Sequence, residues 1–398
     1  MAGPLEGVRV LDLSAVVSGP LTGALLADLG AEVIKVEKLE GDIQRNVGSQ
    51  RNGFSGSFHV LNRGKRSIAL DLKSTFAQPV LRKLIAESDV LIQNFRPGVI
   101  DRLGLGYETV SQWHPRLIYL SISGFGALGP QQAKRAYDPI IQTYSGMASV
   151  QGLRRGQGPE QVNQLIMDKL TASTGAQAVC AALFSRERSG LGEHIELSML
   201  DTAVAFLWPD AAADVILQGE EIDHRPAISA AGQLVELKDG WAAFMILSDQ
   251  EFEGFCRALS LSDLRVDDRF NSLHRRQQHR NEFSEALKVA LVPARALDTD
   301  TFLQRLSDEH VPVSKVQFLE EIHKDPQVVA NALLRERHHP VAGHLREARP
   351  APVFKRAGLE PAGFAPTIGE HSEEILTELG LAASLPELTA NHAIKVGG

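Results

Sequence analysis

Positive charge is in short supply in this chain. Its 398 residues carry 41 Lys and Arg against 49 Asp and Glu, a net charge of −8. A nucleic-acid surface needs clustered positive charge, so the composition excludes that class of partner, while a local basic pocket for an anionic ligand stays open. Cysteine is scarce too. Cys180 and Cys256 lie far apart and neither belongs to a CxxC pair. No zinc ribbon or dithiol redox motif is spelled out, no metal site is expected, and a reducing cytoplasm is the natural setting. No apolar stretch reaches the length of a membrane span, so no membrane partner is expected. The opening MAGPLEGVRVLDLS has no basic region followed by a long apolar run, so a signal peptide is not expected. The nucleotide fingerprints are missing from the first strand–helix turn. The first strand–helix turn, LSAVVSGP, lacks GxGxxG, and GxxxxGK[ST] occurs nowhere, which argues against NAD binding and ATP hydrolysis.

Strand and helix signals alternate through the first half. VRVLDLS reads as a buried strand, GPLTGALLADLG as a helix stopped by Gly30, and AEVIKVE as a second strand. Strand, helix and strand within about 30 residues make a βαβ unit, hence a parallel sheet with right-handed crossovers. SIALDLK, PVLRKLIAESD and VLIQNF continue the pattern, and SQWHPRLIYLSIS reads as a short helix running into another strand. A long helix follows Asp168, then the strand HIELSML and a helix capped by Asp201. The expectation is an α/β fold, a doubly wound parallel-sheet large domain, over residues 1–222. From Asp223 the texture changes. LVELKDGWAAFMIL reads as a hairpin turning at Asp239-Gly240, and EFEGFCRAL, NEFSEALKVAL and TFLQRLSDEH as helices. Residues 223–335 are therefore expected to form a smaller α+β domain inserted before a C-terminal return, 336–398. In that return Pro340 to Pro366 reads as an extended strand or linker and EHSEEILTELGL as a helix ended by Gly380.

One carboxylate stands out. In NQLIMDKLTASTGAQAV, Asp168 follows an apolar run and precedes small, helix-compatible residues. Taken alone it reads as an N-cap, since Asp accepts hydrogen bonds from the first free N–H groups of a helix. NFRPG, taken alone, is a tight turn with a surface Arg. His59, His114 and His194 read as loop, surface or strand residues, because nothing in their spacing pairs them with Asp168.

Several stretches together carry more than any one of them. LEGVRVLDLS, LLADLGAEVIKVE, NRGKRSIALDL, NFRPG, LGLGYE, YLSISGFGALGP, YDPIIQTYSG, ERSGLGEHIELSMLD, VPVSKVQFLEEIHKDPQV and TIGEHSEEIL run in order from Leu5 to Leu376. They resemble the class III CoA-transferases, the formyl-CoA transferase group, over nearly the whole chain. The resemblance implies that Asp168 is a nucleophile on an acyl-CoA thioester, and that CoA passes between two acids by way of an aspartyl mixed anhydride and an aspartyl-CoA thioester. A carboxylate suits this work because an anhydride is at least as activated as a thioester, and the covalent route divides one difficult exchange into easier ones. It further implies CoA contacts at Lys38, Leu72, Lys73, Asn94, Phe95, Arg96, Gly98 and Arg102, with Arg96 on phosphate. Arg135 and Tyr137 match positions beside the pantetheine thiol and acyl group. The implied partners are an acyl-CoA and a free carboxylic acid, with CoA thioester as substrate and no tightly bound cofactor. The implied assembly is an interlocked-ring homodimer.

The departures from the pattern are informative. Formyl-CoA transferases often carry Gln where Val17 stands, His near Ala15, and a glycine run where this chain has ISAAGQL with Gly232 alone. The formyl/oxalyl pair is therefore not expected. HRPAISAAG is more similar to relatives acting on succinyl-CoA and other dicarboxylic or branched acids, with Val17, Gly232 and Gln233 lining the acyl pocket. Related α-methylacyl-CoA racemases carry His near the place of Tyr137, and Tyr is a poor base at neutral pH. Transfer is thus favoured over a racemase-like isomerase or a non-catalytic acyl-CoA-binding protein.

Overall fold

The computed structural model of the protein describes residues 3–153, 158–225, 227–356 and 363–397. The chain divides into two compact units, Met1–Ala205 with Gln327–Gly398, and Phe206–Pro326. These limits come earlier than 223 and 335, where the sequence changes texture. Units are set by packing, and residues from Phe206 onward pack with the second body before their element pattern changes.

The first unit is a mixed α/β body. Its main sheet uses β1 (Arg9–Asp12) and β2 (Glu32–Glu37). The short β3 (Gln50–Arg51) and β4 (Phe54–Ser55) make a separate hairpin. The main sheet continues with β5 (Lys65–Leu70), β6 (Val90–Gln93), β7 (Ile118–Ser123) and β8 (Glu193–Ser198). An edge strand near the C-terminus completes it. With the remaining strands numbered in chain order, the sheet order is β14-β5-β2-β1-β6-β7-β8, where β14 is Ile394–Lys395. The neighbours from β5 to β8 pair in parallel, and β14 pairs antiparallel with β5.

Consecutive strand residues serve opposite faces, as a pleated sheet buried on both sides requires. Leu11, Ile34, Leu91 and Tyr119 pack on one face, together with Leu81 and Leu84 of the helix Gln78–Ala86 and with Ile375 and Leu376. Val10, Val33, Ile92 and Leu120 pack on the other, with Leu26, Ala176, Val179 and Leu183. The second set comes from α1 (Ser18–Asp28) and the long helix Ile166–Ser189. Taking the helices in chain order as α2 (Gly56–Asn62), α3 (Gln78–Ala86), α4 (Val99–Arg102), α5 (Tyr107–Val110), α6 (Asp138–Tyr144) and α7 (Met147–Leu153), that long helix is α8.

Helices α1 and α8 approach closely because their facing residues are small. Thr22 Oγ1 donates to the Ala172 carbonyl at 3.3 Å. A Cβ on Gly175 would stand 3.1 Å from Thr22 Oγ1 and 3.3 Å from Leu120. Gly175→Leu is therefore expected to destabilise the protein by overpacking, about 1–3 kcal/mol or more, read as a lower melting temperature.

Several sequence expectations are corrected here. The short helix before β7 is Tyr107–Val110 and does not include SQWH, which forms the turn after it. The helix of HIELSMLD begins at Met199. Ser198 Oγ accepts the Asp201 N–H, so the cap is Ser198. Pro340 sits in the turn of a hairpin, β12 (Leu334–His339) with β13 (Gly343–Ala348), and residues 357–362 of the Pro-rich segment lie outside the described residues. His59 is neither loop nor surface. It lies buried in α2 with Nε2 at 2.7 Å from Glu347 Oε2.

The second unit holds the expected hairpin, β9 (Gly232–Glu236) and β10 (Trp241–Met245), with β11 (Val313–Lys315) antiparallel beside β10. Helices Asp249–Ala258, Arg280–Ala290 and Thr299–Asp308 belong to the same unit, and its core is built on Phe244, Phe252, Phe255 and Phe302. Among the described residues no helix is long and apolar enough to cross a membrane.

Candidate active site

The sheet order reverses direction between β1 and β6. In open parallel sheets such a switch point leaves a crevice at the carboxyl ends of the strands, where ligands bind. Two loops meet there, Leu13–Val17 after β1 and Asn94–Gly98 after β6. Asn94 ties them together. Its Oδ1 accepts the Ala15 N–H at 2.9 Å and its Nδ2 donates to the Ala15 carbonyl at 2.7 Å.

The β1 loop is built on buried charge. Asp12, Lys35, Asp42 and Lys65 are all under 5% exposed. Lys65 Nζ donates to Asp12 Oδ2 at 2.8 Å, to the Pro20 carbonyl at 2.7 Å and to Asn62 Oδ1 at 2.9 Å. Lys35 Nζ donates to the Ser14 carbonyl at 2.9 Å and to Asp42 Oδ2 at 3.1 Å. Asp12 Oδ1 accepts both the N–H and the hydroxyl of Ser14. Burial pulls Lys65 down to about 8 despite Asp12. Burial also works against the charged forms of Lys35 and Asp12, but the carboxylates around Lys35 hold it high and the Lys65 and Lys35 charges hold Asp12 low. At neutral pH all three carry charge.

Asp168 is buried against the start of α1. It is not an N-cap: α8 begins at Ile166, and Leu165 precedes it with no side-chain cap. Asp168 occupies the third position of the first turn. Its own N–H donates to Asp138 Oδ2 at 2.9 Å. Burial, then the charge of Asp138, push the Asp168 carboxyl up to about 7, while the Ser18 hydroxyl and backbone N–H favour its charged form. Ser18 is the first residue of α1, so the carboxylate meets the positive end of that helix as well as of its own. Asp138 opens α6 and is fully buried, and its Oδ1 accepts from Gln142 Nε2 at 2.5 Å. Gln142 in turn donates to the carbonyls of Val162 and Gln164 and accepts the Val162 N–H at 2.8 Å, which holds the approach to α8.

A hollow of about 320 Å³ is lined by Arg96, Pro97, Val99, Arg102, Gln132 and Ala133. Gly98 between the two arginines has φ 76°, a left-handed conformation that suits glycine. Lys38, Lys73, Arg135 and Tyr137 are exposed. Leu72 and Phe95 pack against the core instead, and the Asn94 amide is spent on Ala15. Val17 is buried as the residue before α1. Gly232 and Gln233 lie on β9 of the second unit.

Residues 5–372 match the family model of CoA-transferase family III. The chain belongs to that family. It is a class III CoA-transferase, an enzyme acting on CoA thioesters. The Succinyl-CoA:glutarate CoA-transferase of Mus musculus is 33% identical over 94% of this chain and 86% of its own length. The Acetyl-CoA:oxalate CoA-transferase of Acetobacter aceti is 34% identical over 83% of this chain and 85% of its own. The solved structure of a CAIB/BAIF family protein from Brucella suis superposes with a TM-score of 0.80 at 30% identity, covering 95% of this chain and all of that one.

Sequence reasoning missed the structural neighbours of Asp168 in this transferase. Asp138 and Gln142 stand four apart in YDPIIQTYSG, a spacing that puts both on one helix face. The buried lysines also left a trace, a charge inside an otherwise apolar run, as in EVIKVE.

Proposed function

We propose that this transferase exchanges CoA between two carboxylic acids with Asp168 as the nucleophile. The observation that carries the reading is a buried carboxylate, raised to about 7, set against the donors of Ser18 at the start of α1. A carboxylate stripped of water and of higher basicity is a stronger nucleophile, and titration near 7 leaves a working share ionised at neutral pH. Its oxygen attacks the thioester carbonyl, the C–S bond breaks, and CoA thiolate leaves a mixed anhydride on the protein. The thiolate then attacks the aspartyl carbonyl, the first acid departs, and an aspartyl-CoA thioester remains. The acceptor carboxylate attacks that carbonyl and displaces thiolate. The thiolate finally attacks the acceptor's carbonyl and returns Asp168 as a free carboxylate.

CoA binding is assigned to the switch-point loops. Arg96 and Arg102 offer guanidinium groups at the mouth of one hollow, suited to phosphate, with Lys38, Lys73 and Arg135 as further exposed cations. Gly98 gives the turn between the two arginines, and Tyr137 is exposed at the head of α6. Leu72, Asn94 and Phe95 would act through backbone groups or by shaping the loops. Arg96→Ala is expected to weaken CoA binding about tenfold and to flatten its salt dependence, as calorimetry at two ionic strengths would read.

The acids are assigned as dicarboxylates, with succinyl-CoA as donor. Both curated relatives described above are named for a dicarboxylate acceptor, and the HRPAISAAG stretch supports the larger acids. Val17 is assigned to the acyl pocket, and the working assembly to an interlocked homodimer in the cytoplasm. Incubation with succinyl-CoA, trapping with hydroxylamine or borohydride, and mass spectrometry of the intact and digested protein tests the central step. A trapped change on the Asp168 peptide is the expected result. Its absence with every acyl-CoA that is turned over would sink the assignment.

A further inference from the structure

We propose that Asp42 is a positioning residue for the transfer. Its buried carboxylate holds Val16 in a left-handed backbone conformation, and that residue sets the turn that aims the Ser18 donors at Asp168. The inference rests on the reading of Asp168 as nucleophile.

Val16 has φ 74°. A β-branched residue there is a genuine outlier, since its side chain crowds its own backbone, and such strain persists only where surrounding structure enforces it. Asp42 supplies the enforcing groups. The Val16 N–H lies 3.3 Å from Asp42 Oδ1 and 3.2 Å from Oδ2. Asp42 is itself fixed. Oδ1 accepts the Gln44 N–H at 3.1 Å, Oδ2 takes Lys35 Nζ at 3.1 Å, and the Asp42 N–H donates to Glu37 Oε2 at 3.0 Å.

The rest of the turn is held by other elements. Lys35 of β2 grips the Ser14 carbonyl, Asp12 of β1 grips the Ser14 N–H, and Asn94 after β6 grips Ala15 from both sides. Ser14, Ala15 and Val16 are thus each clamped by a side chain, and Val17 and Ser18 follow directly. Among the described residues no hydrogen bond joins Asp42 to Asp168, which is why it positions rather than reacts. A Val16 free to relax to negative φ would rotate the next peptide and turn the first N–H of α1 away from the carboxylate. Buried charge of this kind contributes little net stability, and its use is conformational specificity.

The test uses the protein with succinyl-CoA and glutarate, and compares Asp42→Ala, which removes the acceptor of the Val16 N–H, with Val16→Gly and the double variant, and with Asp168→Asn as control. Asp42→Ala is expected to lower kcat about 30-fold while KM for succinyl-CoA stays within about threefold. The acid limb of its kcat profile moves to higher pH, because Asp168 loses donors to its charged form while Asp138 still faces it. Val16→Gly alone lowers kcat less than Asp42→Ala does, because glycine adopts that φ unaided. The double variant regains about tenfold of the lost rate and moves the acid limb back. If Asp42→Ala does not fold, Asp42→Ser takes its place in both variants. A folded Asp42 variant with wild-type kcat and acid limb overturns the proposal, as does a double variant no faster than the single. If Asp168→Asn is inert and the Asp42 variants behave as wild type, positioning alone fails. If Asp168→Asn turns over normally, the nucleophile reading fails first.

Discussion

Asp168→Asn is expected to abolish transfer and, at the same time, to make the protein more stable above neutral pH. The loss of rate should be about a thousandfold or more, because an amide is no nucleophile and the neighbouring Asp138 carboxylate is fully buried, with its oxygens held by Gln142 and the residue-168 N–H. The gain in stability follows from the raised pKa. Asp168 titrates at about 7 in the folded protein against 3.8 for an ordinary Asp. A group whose folded pKa is raised contributes its full stability below the unfolded value, and that contribution is lost as pH rises through the folded value. The wild type therefore weakens between about pH 4 and pH 7 on account of this group, by on the order of 4 kcal/mol in total. Asparagine carries no charge to bury and no repulsion with Asp138. Urea unfolding of both proteins at pH 4.5 and pH 8 should give nearly equal stabilities at the lower pH and a more stable variant at the higher. Equal stabilities at both would mean that Asp168 ionises without cost in the folded protein. The same titration should appear as an acid limb near pH 7 in kcat of the wild type, and Asp138→Asn should move that limb to lower pH while keeping an acceptor for the Asp168 N–H.

Much of the sheet was legible because its strands are near-continuous apolar runs with clear stops. VLIQNF became β6 and RLIYLSIS became β7 with only their ends trimmed. Charged residues caused the errors. SIALDLK was read as starting at Ser67, whereas β5 starts at Lys65 and ends at Leu70, because Lys65 and Arg66 find partners inside the fold that no local pattern reveals. Asp12, Lys35, Asp42 and Lys65 come from four separate segments, so their pairing is a property of the packed sheet. Asp168 was singled out through the resemblance carried by the motifs around it, and its place within the helix was misread. Side-chain type suggested an N-cap, and the actual first turn is decided by Asp138, thirty residues earlier, accepting its N–H. The edge strand β14 pairs through two residues only, too short to leave a period in the sequence.

Lys65→Met should separate the stability of that cluster from its use. The ammonium holds Asp12 Oδ2, Asn62 Oδ1 and the Pro20 carbonyl at the first turn of α1. Gly23 makes room for it, since a Cβ there would stand 3.2 Å from Lys65 Nζ. Removing one partner of a buried pair leaves the other charge uncompensated, at a cost of about 3–5 kcal/mol, with Lys35 softening the loss toward the lower figure. The pair itself is expected to add little. Burial already pulls Lys65 down to about 8 in the presence of Asp12, so desolvation outweighs attraction at the lysine. Asp12→Asn with Lys65→Met should then recover most of the lost stability, because the amide oxygen still accepts from Ser14 and no bare charge remains. Transfer should not recover with it. The Pro20 carbonyl has lost its anchor, the start of α1 is free to shift, and Ser18 no longer meets Asp168 on time average. Denaturant midpoints and kcat measured on the wild type, Lys65→Met, Asp12→Asn and the double variant would decide the matter. Recovery of both quantities together would mean the cluster serves stability alone, whereas recovery of stability with a persistently low kcat would mean that these buried charges are retained for the geometry they impose on the β1–α1 turn.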